Sequence, residues 1–173
     1  DEAAAPRVDG AAPPPPPREG SHTYAYAPSG DTYSGEFALG RRHGRGVYVE
    51  AASGNQYDGD WADDRRHGRG TLTSGDGSFS YDGDWADDRR HGEGRCVFRG
   101  RESYSGGWRD DAFNGRGALC DAARNTYDGE WVDGAKHGAG TETGRDGGDE
   151  GEGEGPGGRR RGEGRSGSGG REG

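Results

Sequence analysis

A short run recurs five times and sets the geometry of everything between its copies. Tyr33-Ser-Gly35-Glu-Phe37 is followed by Tyr57-Asp-Gly59-Asp-Trp61, Tyr81-Asp-Gly83-Asp-Trp85, Tyr104-Ser-Gly106-Gly-Trp108 and Tyr127-Asp-Gly129-Glu-Trp131. The leading tyrosines are 24, 24, 23 and 23 residues apart. A fixed period of roughly 20–50 residues is the mark of a repeat array, whose units bury a core only by stacking. Ten residues after each tyrosine comes a second run: His43-Gly-Arg-Gly46, His67-Gly-Arg-Gly70, His91-Gly-Glu-Gly94, Asn114-Gly-Arg-Gly117 and His137-Gly-Ala-Gly140. A partial copy precedes the first unit, with Tyr24 and Gly30 standing 24 residues before Tyr48 and Gly54.

The spacing within each run predicts strands. Tyr, Gly and Trp or Phe at i, i+2 and i+4 share one face of an extended chain, and Gly68, Gly70 and Leu72 do the same in the following segment. The five residues between, such as Ala62-Asp-Asp-Arg-Arg66, are polar and turn-like. Each unit therefore reads as a β-hairpin with one aromatic and one glycine-rich strand. The missing Cβ atoms leave slots in which the neighbouring rings lie flat. The fold class expected is all-β: stacked hairpins forming one elongated, twisted antiparallel sheet, about 50 Å long at ~4.8 Å per strand. On the other face, Asp58, Asp60, Asp82, Asp84 and Glu130 stand opposite Arg45, Arg69 and Arg116, so weak cross-strand charge pairs are expected there.

Composition alone points the other way. Of 173 residues, 39 are Gly, the hydrophobic fraction is 25% and the net charge is -9. Such a chain normally stays unfolded. The distribution resolves the conflict: all 16 aromatics lie between Tyr24 and Trp131. Residues 1–22, with Pro13 to Pro17, and residues 144–173, rich in Gly, Arg and Glu, cannot offset their chain entropy and are expected to be disordered. The sheet is expected over 23–143, with units starting near 33, 57, 81, 104 and 127. This thin, aliphatic-poor sheet is not expected to be an enzyme, and no cofactor is expected. There is no Met, and residue 1 is Asp, so a fragment of a longer protein is expected. Without an apolar leader, and with only Cys96 and Cys120, an intracellular setting with reduced thiols follows. The two cysteines should point to opposite faces.

The residues that carry chemistry elsewhere are assigned structural work here. His43, His67 and His91 recur at about 10 Å by the strand spacing, too far apart to share a zinc whose ligands lie within ~2.1 Å. They are expected to hydrogen-bond at the start of each glycine-rich strand. Asp63-Asp64 and Asp87-Asp88 lack the spacing of a calcium loop. Each precedes two arginines, so a self-compensating, solvated turn is expected. No metal site is expected.

The Tyr-x-Gly-x-Trp/Phe strand, the turn and the His-Gly-x-Gly strand, at a period of 23–24, resemble the MORN (membrane occupation and recognition nexus) repeat. The likeness covers about 120 of 173 residues. Phe37 replaces Trp in the first unit and Asn114 replaces His in the fourth. The fifth ends in Thr141-Glu-Thr143, so its last strand is expected to fray or be covered. The resemblance implies a non-enzymatic scaffold in ciliary, cytoskeletal or membrane-junction assemblies. It would dock a protein partner, helix or peptide, or a second copy, along the aromatic–glycine face. Tyr57, Trp61, Tyr81, Trp85, Tyr104 and Trp108 are the binding residues expected. It also implies an alternative, the regulatory or membrane-recruiting repeat region of a larger enzyme such as a phosphoinositide kinase or a lysine methyltransferase. The paired arginines Arg41, Arg42, Arg65, Arg66, Arg89 and Arg90 are the candidates for an anionic phospholipid. Against that, residues 33–143 carry 15 basic and 20 acidic side chains, and nucleic acid is not an expected partner.

Overall fold

A computed structural model describes residues 14–99 and 102–144. The disorder expected for 1–13 and 145–173 lies outside the described residues. Eleven strands follow one another: β1 (Glu19–Ala25), β2 (Thr32–Ala38), β3 (Arg41–Val49), β4 (Gln56–Ala62), β5 (Arg65–Thr73), β6 (Phe79–Ala86), β7 (Arg89–Phe98), β8 (Glu102–Arg109), β9 (Ala112–Cys120), β10 (Thr126–Val132) and β11 (Ala135–Thr143). They form one open antiparallel sheet in sequence order, each strand pairing with its chain neighbours.

Two boundaries differ from expectation. β1 starts at Glu19, four residues inside the segment read as disordered, and pairs with β2 over its whole length. It is the second strand of the partial unit, with Tyr24 standing opposite Tyr33. β11 does not fray: it pairs with β10 from Val132↔Ala135 to Thr126↔Thr143.

The register explains the glycine content. Gly35, Gly46, Gly59, Gly70, Gly83, Gly94, Gly106, Gly117, Gly129 and Gly140 stand opposite one another in a single line across ten strands. The line makes a trough of nine strand steps, roughly 43 Å. The tyrosine rings lie in it: a Cβ on Gly70 would meet the Tyr57 ring carbon Cζ at 2.5 Å. The slots deduced from sequence are therefore one continuous channel.

A parallel line carries Tyr33, Tyr48, Tyr57, Leu72, Tyr81, Cys96, Tyr104, Leu119 and Tyr127. Phe37 and the tryptophans stand on the other side of the trough. The rings of Phe37, Tyr33, Trp61, Tyr57, Trp85, Tyr81, Trp108, Tyr104, Trp131 and Tyr127 touch in that order, edge to face, at centroid separations of 5.0–5.6 Å. Such contacts add about 0.5–1.5 kcal/mol each beyond burial. Consecutive units are joined by polar bonds as well. Each tryptophan donates its indole N–H to a glycine carbonyl of the preceding unit: Trp61 to Gly46, Trp85 to Gly70, Trp108 to Gly94 and Trp131 to Gly117, at 2.8–3.1 Å.

Candidate functional site

The six aromatic side chains expected to receive a partner are the core of the sheet. Tyr57, Trp61, Tyr81, Trp85, Tyr104 and Trp108 are between 0% and 5% exposed. Their polar atoms are occupied too: Tyr57 donates its hydroxyl to the Asp60 carbonyl and Tyr81 to that of Asp84. The aromatic–glycine face, along which a partner was expected to dock, is already filled by these side chains. The rings fill the glycine trough and cover each other, and Arg42, Arg66 and Arg90 roof the tryptophans. Burial holds the phenols in their neutral form: the pKa of Tyr33 and of Tyr104 is pushed up to about 12.

The arginine row is also placed differently. Arg42, Arg66 and Arg90 stand opposite Phe37, Trp61 and Trp85 in the register, on the aromatic face. Their guanidinium carbons lie 4.2–4.4 Å from the ring centroids of Trp61, Trp85 and Trp108 of the next unit. Each pairs with the next unit's turn: Arg42 with Asp64, Arg66 with Asp88 and Arg90 with Asp111, at 3.1, 3.0 and 2.8 Å. Arg41, Arg65 and Arg89 pair with Asp63, Asp87 and Asp110 at 3.3–3.7 Å. The Asp-Asp and Arg-Arg pairs are thus compensated between units, not within the turn. Residues 63 and 64 have φ of 49° and 69°, and 87 and 88 have 48° and 69°. Two left-handed residues in a two-residue loop make the type I′ hairpin, which aspartate tolerates.

The fourth unit shows what the pairing requires. Phe113 occupies the arginine position, and Gly134 occupies that of its aspartate partner in the next turn. Gly134 N–H donates to the Phe113 carbonyl at 2.9 Å, as Asp88 N–H does to Arg66. Phe113 stacks flat on Tyr104, with centroids 3.7 Å apart. The cation and its anion are lost together, and a ring takes over the roof.

On the opposite face the charge pairs expected are only partly formed. Arg45 meets Asp58 and Asp60 at 3.2 and 3.5 Å, and Arg69 meets Asp84 at 3.2 Å. Asp60 and Asp84 also accept from the backbone N–H of Arg69 and Glu93. His43, His67 and His91 are exposed, and their side chains form no hydrogen bond among the described residues. Their expected role at the strand start is corrected: they sit opposite Glu36, Asp60 and Asp84 beside a register shift. In the fourth unit both members change, to Gly107 and Asn114. Cys96 faces the buried aromatic side and Cys120 stands one residue beyond Leu119 of that line, so the two thiols do point apart, and both are free.

Sequence reasoning missed the side chains that are both apolar and reachable. Tyr48, Leu72 and Leu119 occupy three of the four alternate steps of the tyrosine line, the other being the buried Cys96, and stay half-buried, with Phe79 and Phe98 beyond them. Tyr48 and Leu72 border a cleft of about 350 Å³, together with Asn55, Trp61 and the Arg42–Asp64 and Arg66–Asp88 pairs. Their signal was present in the sequence as the position two residues after the second glycine of each run, on the face the glycines share.

No curated protein matches the chain. The family profile of the MORN repeat matches residues 33–49, 57–79, 81–100, 104–121 and 127–149, more than half of the chain. These segments open on the five leading tyrosines, whose rings make the spine, and the chain belongs to the MORN-repeat family.

Proposed function

We propose that this chain is a non-enzymatic scaffold that docks a protein segment beside its aromatic spine. Tyr48, Leu72 and Leu119 form the contact row, and the Arg42–Asp64 and Arg66–Asp88 pairs form its polar border. The observation that carries the reading is the half-burial of these apolar side chains along one line of the register. Tyr48 and Leu72 are two strands apart, about 9.6 Å. Seven residues of α-helix rise about 10.5 Å. A helix lying across the strands would meet Tyr48 and Leu72 with one apolar residue per heptad, the usual manner of a helix in a groove. Tyr57, Trp61, Tyr81, Trp85, Tyr104 and Trp108 support this surface from beneath.

The test is affinity capture with the intact chain and with a Leu72→Lys/Leu119→Lys variant, followed by titration of the helix-bearing segment recovered. The variant should keep the melting temperature and lose at least tenfold in affinity. Equal affinity would remove the row from the binding site. The arginine row is the weaker candidate for a phospholipid headgroup. Its six members are already ion-paired, and Arg42, Arg66 and Arg90 would have to leave both a carboxylate and a tryptophan face.

A further inference from the structure

Within the array, each glycine-rich strand receives the aromatic strand of the next unit. Where β5 receives β6, Trp85 stands opposite Gly68, Gly83 opposite Gly70 and Tyr81 opposite Leu72. The Trp85 indole donates to the Gly70 carbonyl at 3.0 Å, and its ring packs against Tyr57 at 5.3 Å beneath Arg66 at 4.4 Å. β11 carries the receiving half of the same joint, with β10 as its one neighbour among the described strands. Gly138, Gly140 and Lys136 hold the places of Gly68, Gly70 and Arg66. The Tyr127 ring lies against Gly140, and Lys136 Nζ is 4.6 Å from the centre of that ring. The backbone is aimed the same way. Ser74 N–H donates forward to the Phe79 carbonyl. Strand groups alternate sides with a period of two, so those of Leu72 and Gly70 also point forward. At the same places of β11, Gly140 and Glu142 direct N–H and C=O to the free edge, a template for a further strand.

We propose that β11 is a second, separate docking site, which takes up an extended Gly-x-Trp segment of a partner protein as a twelfth strand. Main-chain bonds along the edge would supply affinity and the tryptophan would supply specificity, the usual division in strand addition. The partner's glycine faces Gly140 and its tryptophan faces Gly138. The indole donates to the Gly140 carbonyl, and the ring packs on Tyr127 beneath Lys136. Glu142 stands where Leu72 does, so the partner residue two places before the glycine is basic. This chain cannot supply the ring itself. Residues 145–173 contain no aromatic side chain. In a second folded copy the aromatic strands β2, β4, β6, β8 and β10 are paired on both sides, and the edge strands β1 and β11 hold no tryptophan.

The experiment follows the fluorescence anisotropy of a dye-labelled peptide titrated with the full chain. The peptide has the sequence of residues 55–63 with Tyr57→Arg, which places arginine, glycine and tryptophan at the required spacing. It should bind saturably. Trp61→Ala in the peptide, and N-methylation of its glycine, should each weaken binding at least tenfold, the second because it removes an edge hydrogen bond and leaves every side chain in place. Glu142→Pro in the chain removes an outward N–H from an edge strand, where proline is tolerated. It should abolish binding with the melting temperature of the sheet retained. Leu72→Lys/Leu119→Lys should bind the peptide as the parent does, which separates this site from the row beside the spine. No binding, equal binding of the N-methylated peptide, or loss of binding in the Leu72→Lys/Leu119→Lys chain would overturn the proposal.

Discussion

Arg66 and Asp88 exchange four hydrogen bonds across a unit boundary. The Arg66 backbone N–H and Nε both donate to Asp88 Oδ1 at 3.0 Å, Nη2 donates to the Asp88 carbonyl at 2.9 Å, and Asp88 N–H returns a bond to the Arg66 carbonyl at 3.0 Å. Two of these engage the carboxylate and one is backbone to backbone, so the turn of one unit is locked to the strand start of the one before. The same bonding recurs at Arg42–Asp64 and Arg90–Asp111.

Asp88→Gly keeps the left-handed turn but leaves Arg66 without its carboxylate. It should cost about 1–2 kcal/mol, the scale of a lost charged hydrogen bond at a half-exposed site. Arg66→Phe should cost a similar amount. The double variant recreates the Phe113–Gly134 boundary and should recover about 1 kcal/mol relative to the sum. Urea unfolding of the four proteins measures the coupling. Additivity within about 0.3 kcal/mol would mean that the two positions act separately.

The glycine trough predicts a contrast between two equivalent-looking substitutions. Gly70 has no unusual φ, so Gly70→Ala is penalised by crowding alone: the new methyl would meet the Tyr57 ring. Its cost should be about 2–3 kcal/mol, with loss of near-ultraviolet circular dichroism as the rings shift. Gly77 sits in a turn with φ of +67° and nothing within 4 Å of an added Cβ. Gly77→Ala should cost roughly 1 kcal/mol from the left-handed backbone and leave the aromatic signal unchanged. Similar aromatic spectra for both variants would argue against rings seated in the trough.

That contrast also marks what could be read from the sequence. The trough was legible because Gly46, Gly70 and Gly94 recur at fixed distance from Tyr33, Tyr57 and Tyr81, and strand geometry turns this spacing into a shared face. The roof was not. Asp63, Asp64, Arg65 and Arg66 are adjacent in sequence, and adjacency suggested that they neutralise one another. In a type I′ hairpin the turn instead docks on the preceding unit, so Arg66 finds its carboxylate 22 residues away. The joint change at Phe113 and Gly134 was the available clue, visible only once those positions are aligned as partners. β1 was under-read because His22, not glycine, stands at its place in the line opposite Gly35.

Buried phenols make the fold sensitive to alkali. The hydroxyls of Tyr33 and Tyr104 titrate near 12 in the folded chain, raised chiefly by burial, against about 10 when unfolded. The unfolded state therefore loses these protons first. The stability tied to their neutral form is complete below pH 10 and is lost as pH rises towards 12. Absorbance at 295 nm should show tyrosines that ionise late, together with a falling urea midpoint over the same interval. Ionisation of all eight tyrosines near pH 10 with the fold intact would contradict the buried ladder.

Trp85 joins the second unit to the third through three contacts: the Tyr57 ring at 5.3 Å, the Arg66 guanidinium at 4.4 Å and the Gly70 carbonyl at 3.0 Å. Trp85→Phe keeps a ring there and loses the indole N–H, a change already present at Phe37 in the first unit. It should cost about 1–2 kcal/mol and preserve a single unfolding transition. Trp85→Ala removes all three contacts and should cost about 3–5 kcal/mol. In an array whose units touch only their neighbours, that loss falls on one joint, so the units on either side come apart at different denaturant concentrations. The urea curve of Trp85→Ala should broaden or split, with a lower apparent slope than the parent. A transition as sharp as the parent's, merely displaced to lower urea, would mean that cooperativity reaches past the joint. The ring spine would then not be its carrier.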